Sequence, residues 1–196
     1  MYKINEIFYS LQGEGRHTGR PAIFVRFSGC NLKCPFCDTD FSRSTPMTAD
    51  DIIAHIRQWR SCGFVVITGG EPSLQIDDEL VARLHQEGYY VAIETNGTHI
   101  LPDAIDWVTW SPKDQFAPHV PPLALKHIDE IKVVFDGEHD PETYIHLAPD
   151  AYACLQPCDT GDAARNQQIT SQCVAYILQH PHWHLSLQTH KLLNIQ

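Results

Sequence analysis

The chain has 196 residues, 43% of them hydrophobic and 10% aromatic, which is enough to bury the core of one ordinary domain and excludes general disorder. Its formal net charge of −10 lacks the clustered Lys and Arg of a nucleic-acid-binding protein, so no nucleic-acid partner is expected. No apolar run approaches the roughly 18 residues that cross a bilayer, so neither a transmembrane helix nor a membrane partner is expected.

The N-terminal sequence has no basic segment followed by an apolar core, so we expect no secretory signal and a cytoplasmic protein. The chain carries seven cysteines. In a reducing compartment cysteines are metal ligands or small buried side chains more often than disulfides.

Apolar runs alternate with amphipathic stretches along the chain. The amphipathic stretches predict helices over residues 49–62, 77–87 and 166–179, with Thr48 and Asp51 forming a capping box at the first and Gly88 ending the second. The alternating segment 4–10 is predicted to be an extra edge strand. The remaining predicted strands cover residues 22–27, 64–68, 91–94, 107–110, 130–135, 152–155 and 183–187.

The strand–helix–strand order implies right-handed crossovers and a mainly parallel sheet. Two connections break the pattern, because residues 100–106 are too few for a helix and residues 115–127 contain three prolines. The chain is also shorter than the ~250 residues of a complete eightfold barrel. The predicted fold class is therefore α/β, a compact partial (β/α) barrel formed by one domain over residues 1–196.

Three cysteines, Cys30, Cys34 and Cys37, form a C-x3-C-x2-C motif directly after the strand at 22–27. Structural zinc and ferredoxin clusters both require four protein ligands. Three thiolates on a 4Fe–4S cluster would leave one iron open to a ligand that is not protein. A zinc site completed by Cys62 or a histidine is the alternative. The other four cysteines are expected to be structural, and Cys158 is the one among them most able to lie near this site.

Three further motifs follow predicted strands: residues 68–72 (TGGEP), 94–97 (ETNG) and 111–113 (SPK). The carboxyl ends of parallel strands carry the sites of α/β folds. Glycines allow the backbone to approach a ligand closely, and a carboxylate accepts hydrogen bonds from an ammonium group. These motifs therefore predict a ligand site beside the cysteines.

With this cysteine spacing and its GGEP segment, the chain resembles the radical S-adenosylmethionine (SAM) enzymes. The resemblance implies a 4Fe–4S cluster held by Cys30, Cys34 and Cys37, which would be the catalytic residues. The amine and carboxylate of SAM would chelate the fourth iron. Reduction would then cleave SAM to methionine and a 5′-deoxyadenosyl radical, which abstracts hydrogen from the substrate.

The same resemblance implies a set of residues that bind SAM. Phe36 would lie against the adenine, Glu71 would accept from the ammonium group, Glu94 would face the ribose, and Lys113 would meet the carboxylate. The full implied set is Phe36, Cys37, Asp38, Gly70, Glu71, Glu94, Ser111, Pro112, Lys113 and Gln156.

Segments 10–15 (SLQGEG), 37–39 (CDT) and 111–113, and more loosely 156–157 and 187–191, resemble the 7-carboxy-7-deazaguanine synthase family. This resemblance implies contraction of 6-carboxy-5,6,7,8-tetrahydropterin to 7-carboxy-7-deazaguanine with loss of ammonia, a step towards queuosine. It also implies Mg²⁺ with Thr39 as a ligand, a homodimer, and an electron donor such as flavodoxin or ferredoxin.

For the pterin substrate, the matching positions begin in the N-terminal loop and end at the last residue. Arg26 is chemically the clearest, because a guanidinium pairs with a carboxylate through two parallel hydrogen bonds. The implied substrate-binding set is Leu11, Gln12, Gly13, Arg26, Thr68 and Gln196.

One marker is absent: some members of this family enlarge the loop between the first two cysteines, and here that gap is three residues. Two alternatives stay open. A radical SAM glycyl-radical activase would act on a protein partner instead of a pterin, and a zinc-binding module would have no catalytic activity. Product formation separates the first from the synthase, and iron content separates the second.

Overall fold

A computed structural model describes residues 1–37, 39–40 and 43–196 of the chain. The described residues form a nine-stranded sheet in the order β3-β1-β2-β4-β5-β6-β7-β8-β9. The strands are β1 Tyr2–Leu11, β2 Pro21–Phe27, β3 Thr45–Met47, β4 Phe64–Gly69, β5 Tyr90–Thr95, β6 Trp107–Trp110, β7 Glu130–Phe135, β8 Tyr152–Pro157 and β9 His184–Leu185.

From β2 to β9 every neighbouring pair of strands is parallel, whereas β1 runs antiparallel to both β2 and β3. The sheet is open, with β3 at one edge and β9 at the other. The predicted partial barrel with a mainly parallel sheet is confirmed. Because the strands run parallel, the loops that leave β2, β4, β5, β6, β7 and β8 meet at one edge.

Five α-helices connect or flank these strands: α1 Ala49–Ile56, α2 Asp78–Gln86, α3 Glu142–Ile145, α4 Ala163–Gln179 and α5 Thr189–Leu193. The predicted capping box is present, since Asp51 N donates to Thr48 Oγ1 at 3.1 Å and Thr48 N donates to Asp51 Oδ2 at 2.9 Å. Gly88 follows α2 with φ +85°, which allows the chain to turn there.

Two predictions about these elements are wrong, and three short elements, β3, α3 and α5, were not predicted. Segment 4–10 forms most of β1 but not an edge strand, because the short β3 pairs outside it. β3 has three residues and contains Pro46, so it carries no strand pattern. The first helix ends at Ile56 and continues as a single 3-10 turn, Arg57–Trp59. α3 and α5 have only four and five residues and were not predicted.

The hydrophobic core lies in two groups of buried side chains. One joins β1, β2, β4 and β5 to α1 and α2, with Leu80, Val81 and Leu84 of α2 fully buried. The other joins β7 and β8 to α4 and Trp183. As the sequence predicted, residues 100–106 and 115–127 form no helix. Within the described ranges, no helix is sufficiently long and apolar to span a membrane.

Candidate active site

The cysteine motif lies in the loop that leaves β2. The thiol of Cys34 is half-buried, and those of Cys30 and Cys37 are exposed. Cys37 N donates to Cys34 O at 3.2 Å, which closes a turn between the second and third cysteines. All three line one cavity of about 240 Å³ at the carboxyl edge of the sheet.

The glycines of the TGGEP segment are required by contact between two backbone segments. Gly69 has φ +132°, and a Cβ there would lie 2.1 Å from Phe27 O. A Cβ on Gly70 would lie 2.0 Å from Gly29 O. Gly70 N and the next amide, of Glu71, donate to Phe27 O and Gly29 O at 3.0 and 2.9 Å. The glycines therefore fix the start of the cysteine loop against β4 as well as lining the cavity.

The Glu71 side chain is 1% exposed and joins the ends of β4 and β5. Its Oε1 accepts from Ser73 N at 3.0 Å and Thr95 Oγ1 at 2.6 Å, and its Oε2 accepts from Asn96 N at 2.7 Å. A carboxylate has about four acceptor positions. Three are therefore occupied by the chain, and roughly one is left to accept from a ligand in the cavity.

The residues predicted to bind SAM gather around the first cavity. Phe36 packs edge-on against Phe116 at 4.7 Å between ring centroids. Pro112 is buried and lies outside the cavity lining, and Asp38 lies outside the described residues. The predicted residues that do line it are Phe36, Cys37, Gly70, Glu71, Glu94, Ser111, Lys113 and Gln156.

Lys113 supplies positive charge beside the thiols. Its Nζ donates to Ser111 Oγ at 2.5 Å and lies 5.6 Å from the Phe36 ring centroid. Burial raises the pKa of Cys34, and the Lys113 ammonium opposes that rise. Because thiolates are the metal-binding form of cysteine, a neighbouring ammonium favours ligation.

A second cavity of about 490 Å³ adjoins the first and contains the predicted substrate residues. Gln12 is buried, and its Nε2 donates to Glu94 Oε1 at 3.3 Å. Gly13 packs so closely on His190 that a Cβ would lie 2.3 Å from Nδ1. The predicted residues lining this cavity are Leu11, Gln12, Gly13, Arg26, Thr68 and Gln196.

Arg26 is oriented by a neighbour on β1. Its Nε donates to Glu6 Oε1 at 2.8 Å, across the strand pair in which Glu6 and Arg26 are in register. Gln196 Nε2 donates to the other oxygen, Glu6 Oε2, at 2.7 Å. Because Glu6 accepts its hydrogen bond from Nε, the two terminal nitrogens of Arg26 are left to donate to a ligand carboxylate.

Thr39 lines both cavities, so a hard cation bound to its oxygen could contact both the cofactor and the substrate. Threonine oxygen together with water and substrate oxygens is a donor set that suits Mg²⁺. The magnesium role of Thr39 stays a prediction.

Two of the remaining cysteines lie at opposite ends of the parallel strands, Cys62 before β4 and Cys158 after β8. Cys62 precedes β4 and donates to Pro21 O and Phe64 O at 3.4 Å, both at the amino ends of their strands. The cysteine loop leaves the opposite end of β2, so Cys62 is not a fourth ligand. Cys158 is buried and lines the first cavity, as the sequence predicted.

The loop thiols fit a cluster held at three corners. Within the described residues, no group of three or more His, Cys, Asp or Glu side chains is arranged to hold a metal ion, and this includes the three loop thiols. Cys30, Cys34 and Cys37 face one cavity and offer only soft sulfur donors. That donor set suits an iron–sulfur cluster whose remaining ligand comes from the cavity.

Several cavity residues were missed by the sequence analysis. Lys132, Glu6 and Gln188 line one or both cavities, but Lys132 and Glu6 belong to no predicted motif, and Gln188, in segment 187–191, was given no role. The one signal for Lys132 was a lysine between the apolar residues Ile131 and Val133 of β7.

Comparison with known proteins gives consistent results. Residues 24–117 match the Radical SAM superfamily. The chain is 54% identical over 196 residues to the 7-carboxy-7-deazaguanine synthase of Bacteroides thetaiotaomicron, covering 100% of both. It is 41% identical over 220 residues to that of Bradyrhizobium diazoefficiens, covering 100% of this chain and 99% of the relative. The crystal structure of QueE from Escherichia coli superposes with a TM-score of 0.79 at 31% identity, covering 95% of this chain and 93% of that one.

Proposed function

Because this chain belongs to the 7-carboxy-7-deazaguanine synthase family of radical SAM enzymes, we propose that it converts 6-carboxy-5,6,7,8-tetrahydropterin to 7-carboxy-7-deazaguanine with loss of ammonia. It is a radical SAM lyase that uses a 4Fe–4S cluster, SAM and Mg²⁺, and its place is in the queuosine pathway. The glycyl-radical activase is not favoured, since the relatives are named for the small-molecule product.

The adjoining cavities are the observation that carries the proposal. One is lined by the cysteine loop and the strand-end motifs, and the other by the N-terminal loop and the chain end, while Arg26 lines both. A radical enzyme must hold its cofactor and substrate side by side, with the reacting atoms near contact. The side chains common to both cavities include Glu14, Thr39, Glu94 and Lys132.

Bound together, the reduced cluster and SAM supply the radical that abstracts a hydrogen atom from the substrate. The protein supplies position and charge. Cys30, Cys34 and Cys37 would hold the cluster, the strand-end residues would hold SAM, and Phe36 would pack against its adenine. Arg26 would bind the pterin carboxylate, and Thr39 would place Mg²⁺ at the junction.

The test is turnover by anaerobically reconstituted protein supplied with SAM, a chemical reductant, Mg²⁺ and the carboxytetrahydropterin. We expect a brown protein and formation of 7-carboxy-7-deazaguanine, measured by liquid chromatography with mass detection. A colourless protein holding tightly bound zinc would support the non-catalytic module instead. Cofactor cleavage that proceeds only with a protein partner would support the activase.

Arg26→Ala is expected to raise the KM for the pterin about 100-fold, because a charge-assisted pair worth roughly 3 kcal/mol is lost. Arg26→Lys should lie between this variant and the wild type, since lysine keeps the charge but not the planar fork. Iron content and SAM cleavage without substrate should stay normal.

The matched control is Arg57→Ala, because Arg57 also donates two hydrogen bonds to a carboxylate, that of Glu87, but on the surface. Its KM should equal that of the wild type. An Arg26→Ala enzyme with an unchanged KM would remove Arg26 from the substrate site.

Thr39→Ala is expected to raise the Mg²⁺ concentration for half-maximal turnover roughly tenfold, because one oxygen ligand is lost while the water ligands remain. Steady-state rates across a magnesium titration measure this. Thr143→Ala is the control, since Thr143 is exposed and bonds only within its own turn. An unchanged magnesium response would exclude the role.

We further propose one domain over residues 1–196, a homodimer, a cytoplasmic location and reduction by flavodoxin or ferredoxin. A sheet containing strands from both ends of the chain supports the single domain. Seven unpaired thiols support the reducing compartment. The dimer and the donor follow from the family resemblance, and sedimentation and reduction assays with each purified donor test them.

A further inference from the structure

A single buried ammonium group lies between the two cavities. Lys132, on β7, is 5% exposed. Its Nζ donates to Glu14 Oε2 at 2.7 Å and to Glu94 Oε2 at 2.8 Å. Glu14 follows β1 and Glu94 lies near the end of β5, so one cation joins two carboxylates that are 80 positions apart in the chain.

The second oxygen of each carboxylate is also bound. Gln188 Nε2 donates to Glu14 Oε1 at 3.1 Å, and Gln12 Nε2 donates to Glu94 Oε1 at 3.3 Å. Glu14 N in turn donates to Gln12 Oε1 at 3.2 Å. Lys132 is therefore the centre of a network that ties the N-terminal loop, β5, β7 and the segment before α5 together.

Three carboxylates, those of Glu14, Glu94 and Glu130, act on the single ammonium group of Lys132. Burial raises the pKa of Glu14, but the Lys132 ammonium, the Gln188 hydrogen bond and His190 together lower that pKa to about 2. Burial raises the pKa of Glu94 to about 7, and Lys132 opposes this only in part, while Glu130 and Glu14 add to it. Burial lowers the pKa of Lys132, but the three carboxylates outweigh it and raise that pKa. Lys132 thus stays charged and serves more than one carboxylate.

The place of this network gives it a function. Glu14, Glu94 and Lys132 line both cavities, so they lie where the cofactor ribose and the pterin would meet. Hydrogen abstraction requires the reacting atoms about 3–3.5 Å apart, and a 1 Å misplacement can cost about 100-fold in rate. Two half-buried carboxylates with no cation between them would repel each other or share a proton, and either change would move them from their present positions.

Resting on the function proposed above, we infer that Lys132 is a positioning residue, which fixes the Glu94 carboxylate on the cofactor side and the Glu14 carboxylate on the substrate side. Through them it sets the approach of the cofactor ribose to the pterin. Arg26 also lines both cavities, but substrate affinity depends mainly on its guanidinium, which would pair directly with the pterin carboxylate. Lys132 therefore affects the rate more than the binding.

The test compares Lys132→Met with Lys126→Met in anaerobically reconstituted enzyme. Lys126 is an exposed lysine that pairs with Asp103. Lys126→Met therefore makes the same substitution without removing a contact to the residues that line both cavities. We expect Lys132→Met to lower kcat about 100-fold. The affinity of the unreduced holoenzyme for the pterin, measured by equilibrium dialysis, should stay close to that of the wild type. Release of 5′-deoxyadenosine without product should increase.

The pH profile provides a readout that a merely structural residue would not move. The Lys132 ammonium favours the charged forms of Glu14 and Glu94, so its removal raises both pKa values and shifts the acid limb of kcat to higher pH. Glu130, Lys113, His190 and Cys154 also face this network and remain in the variant. Lys132→Arg keeps the cation and should restore most of the lost kcat.

If Lys132→Met folds poorly, the double variant Lys132→Met/Glu94→Gln removes a carboxylate together with the cation. It should recover the melting temperature of the wild type but not its kcat. Unchanged kcat and an unchanged acid limb in Lys132→Met would overturn the inference. The inference would also be overturned if Lys132→Met lost stability, pterin affinity and kcat together and the double variant restored all three. Failure of the wild type itself to form the deazaguanine would overturn the proposed function, and the inference with it.

Discussion

Replacement of Cys34 by alanine is expected to remove the iron–sulfur cluster and reduce turnover to background. Cys34 is the middle and most buried thiol of the loop, and its turn with Cys37 positions the third ligand. Two thiolates cannot hold three corners of a 4Fe–4S cluster, so reconstitution should leave the variant nearly colourless. Iron and sulfide content, the visible spectrum and product formation measure the effect in one preparation.

Cys62→Ala is the matched control, because it removes a buried thiol from the opposite end of the sheet. It should keep its cluster and its activity and lose only about 1 kcal/mol of unfolding free energy. If Cys34→Ala kept its full iron content and turned over normally, the three-cysteine cluster and the proposed function would both fail.

Glu71→Ala is expected to give the largest loss of stability, roughly 3–6 kcal/mol. The substitution leaves Ser73 N, Asn96 N and the Thr95 hydroxyl without their buried acceptor, and each unsatisfied group costs about 1–3 kcal/mol. A loss of this size is a large share of the roughly 5–15 kcal/mol that stabilises an ordinary domain. Thermal melts measure this, and titration with SAM should show weaker binding because the ends of β4 and β5 are no longer joined.

Glu71→Gln keeps one acceptor oxygen and should lose less stability than Glu71→Ala. Glu79→Ala is the control for removing a carboxylate, since Glu79 is exposed on α2. A Glu71→Ala protein with the melting temperature and the SAM affinity of the wild type would contradict the role of the Glu71 hydrogen bonds. It would also contradict the proposal that the TGGEP segment lines the cofactor cavity.

The GGEP segment shows how a correct motif can have an incomplete physical explanation. Its glycines predicted close approach of a ligand. In the structure, Cβ atoms at Gly69 and Gly70 would collide with the backbone at Phe27 and Gly29. The position of the motif at a strand end was readable from the sequence, because hydrophobic runs mark strands. Its contact with the cysteine loop was not, because that contact depends on β2 and β4 being neighbours.

The sequence by itself determined the main strands and the mainly parallel sheet, because these depend on local periodicity within short segments, and the resemblance of its motifs to a family supplied the candidate ligands. The resemblance also predicted a substrate contact for the chain end, Gln196, which lines the second cavity. Only the tertiary structure decided which distant groups meet. Lys132 with Glu14 and Glu94, and Arg26 with Glu6, are pairs formed by strand order and register, and a buried charge finds its partner through the fold rather than through its neighbours in the sequence.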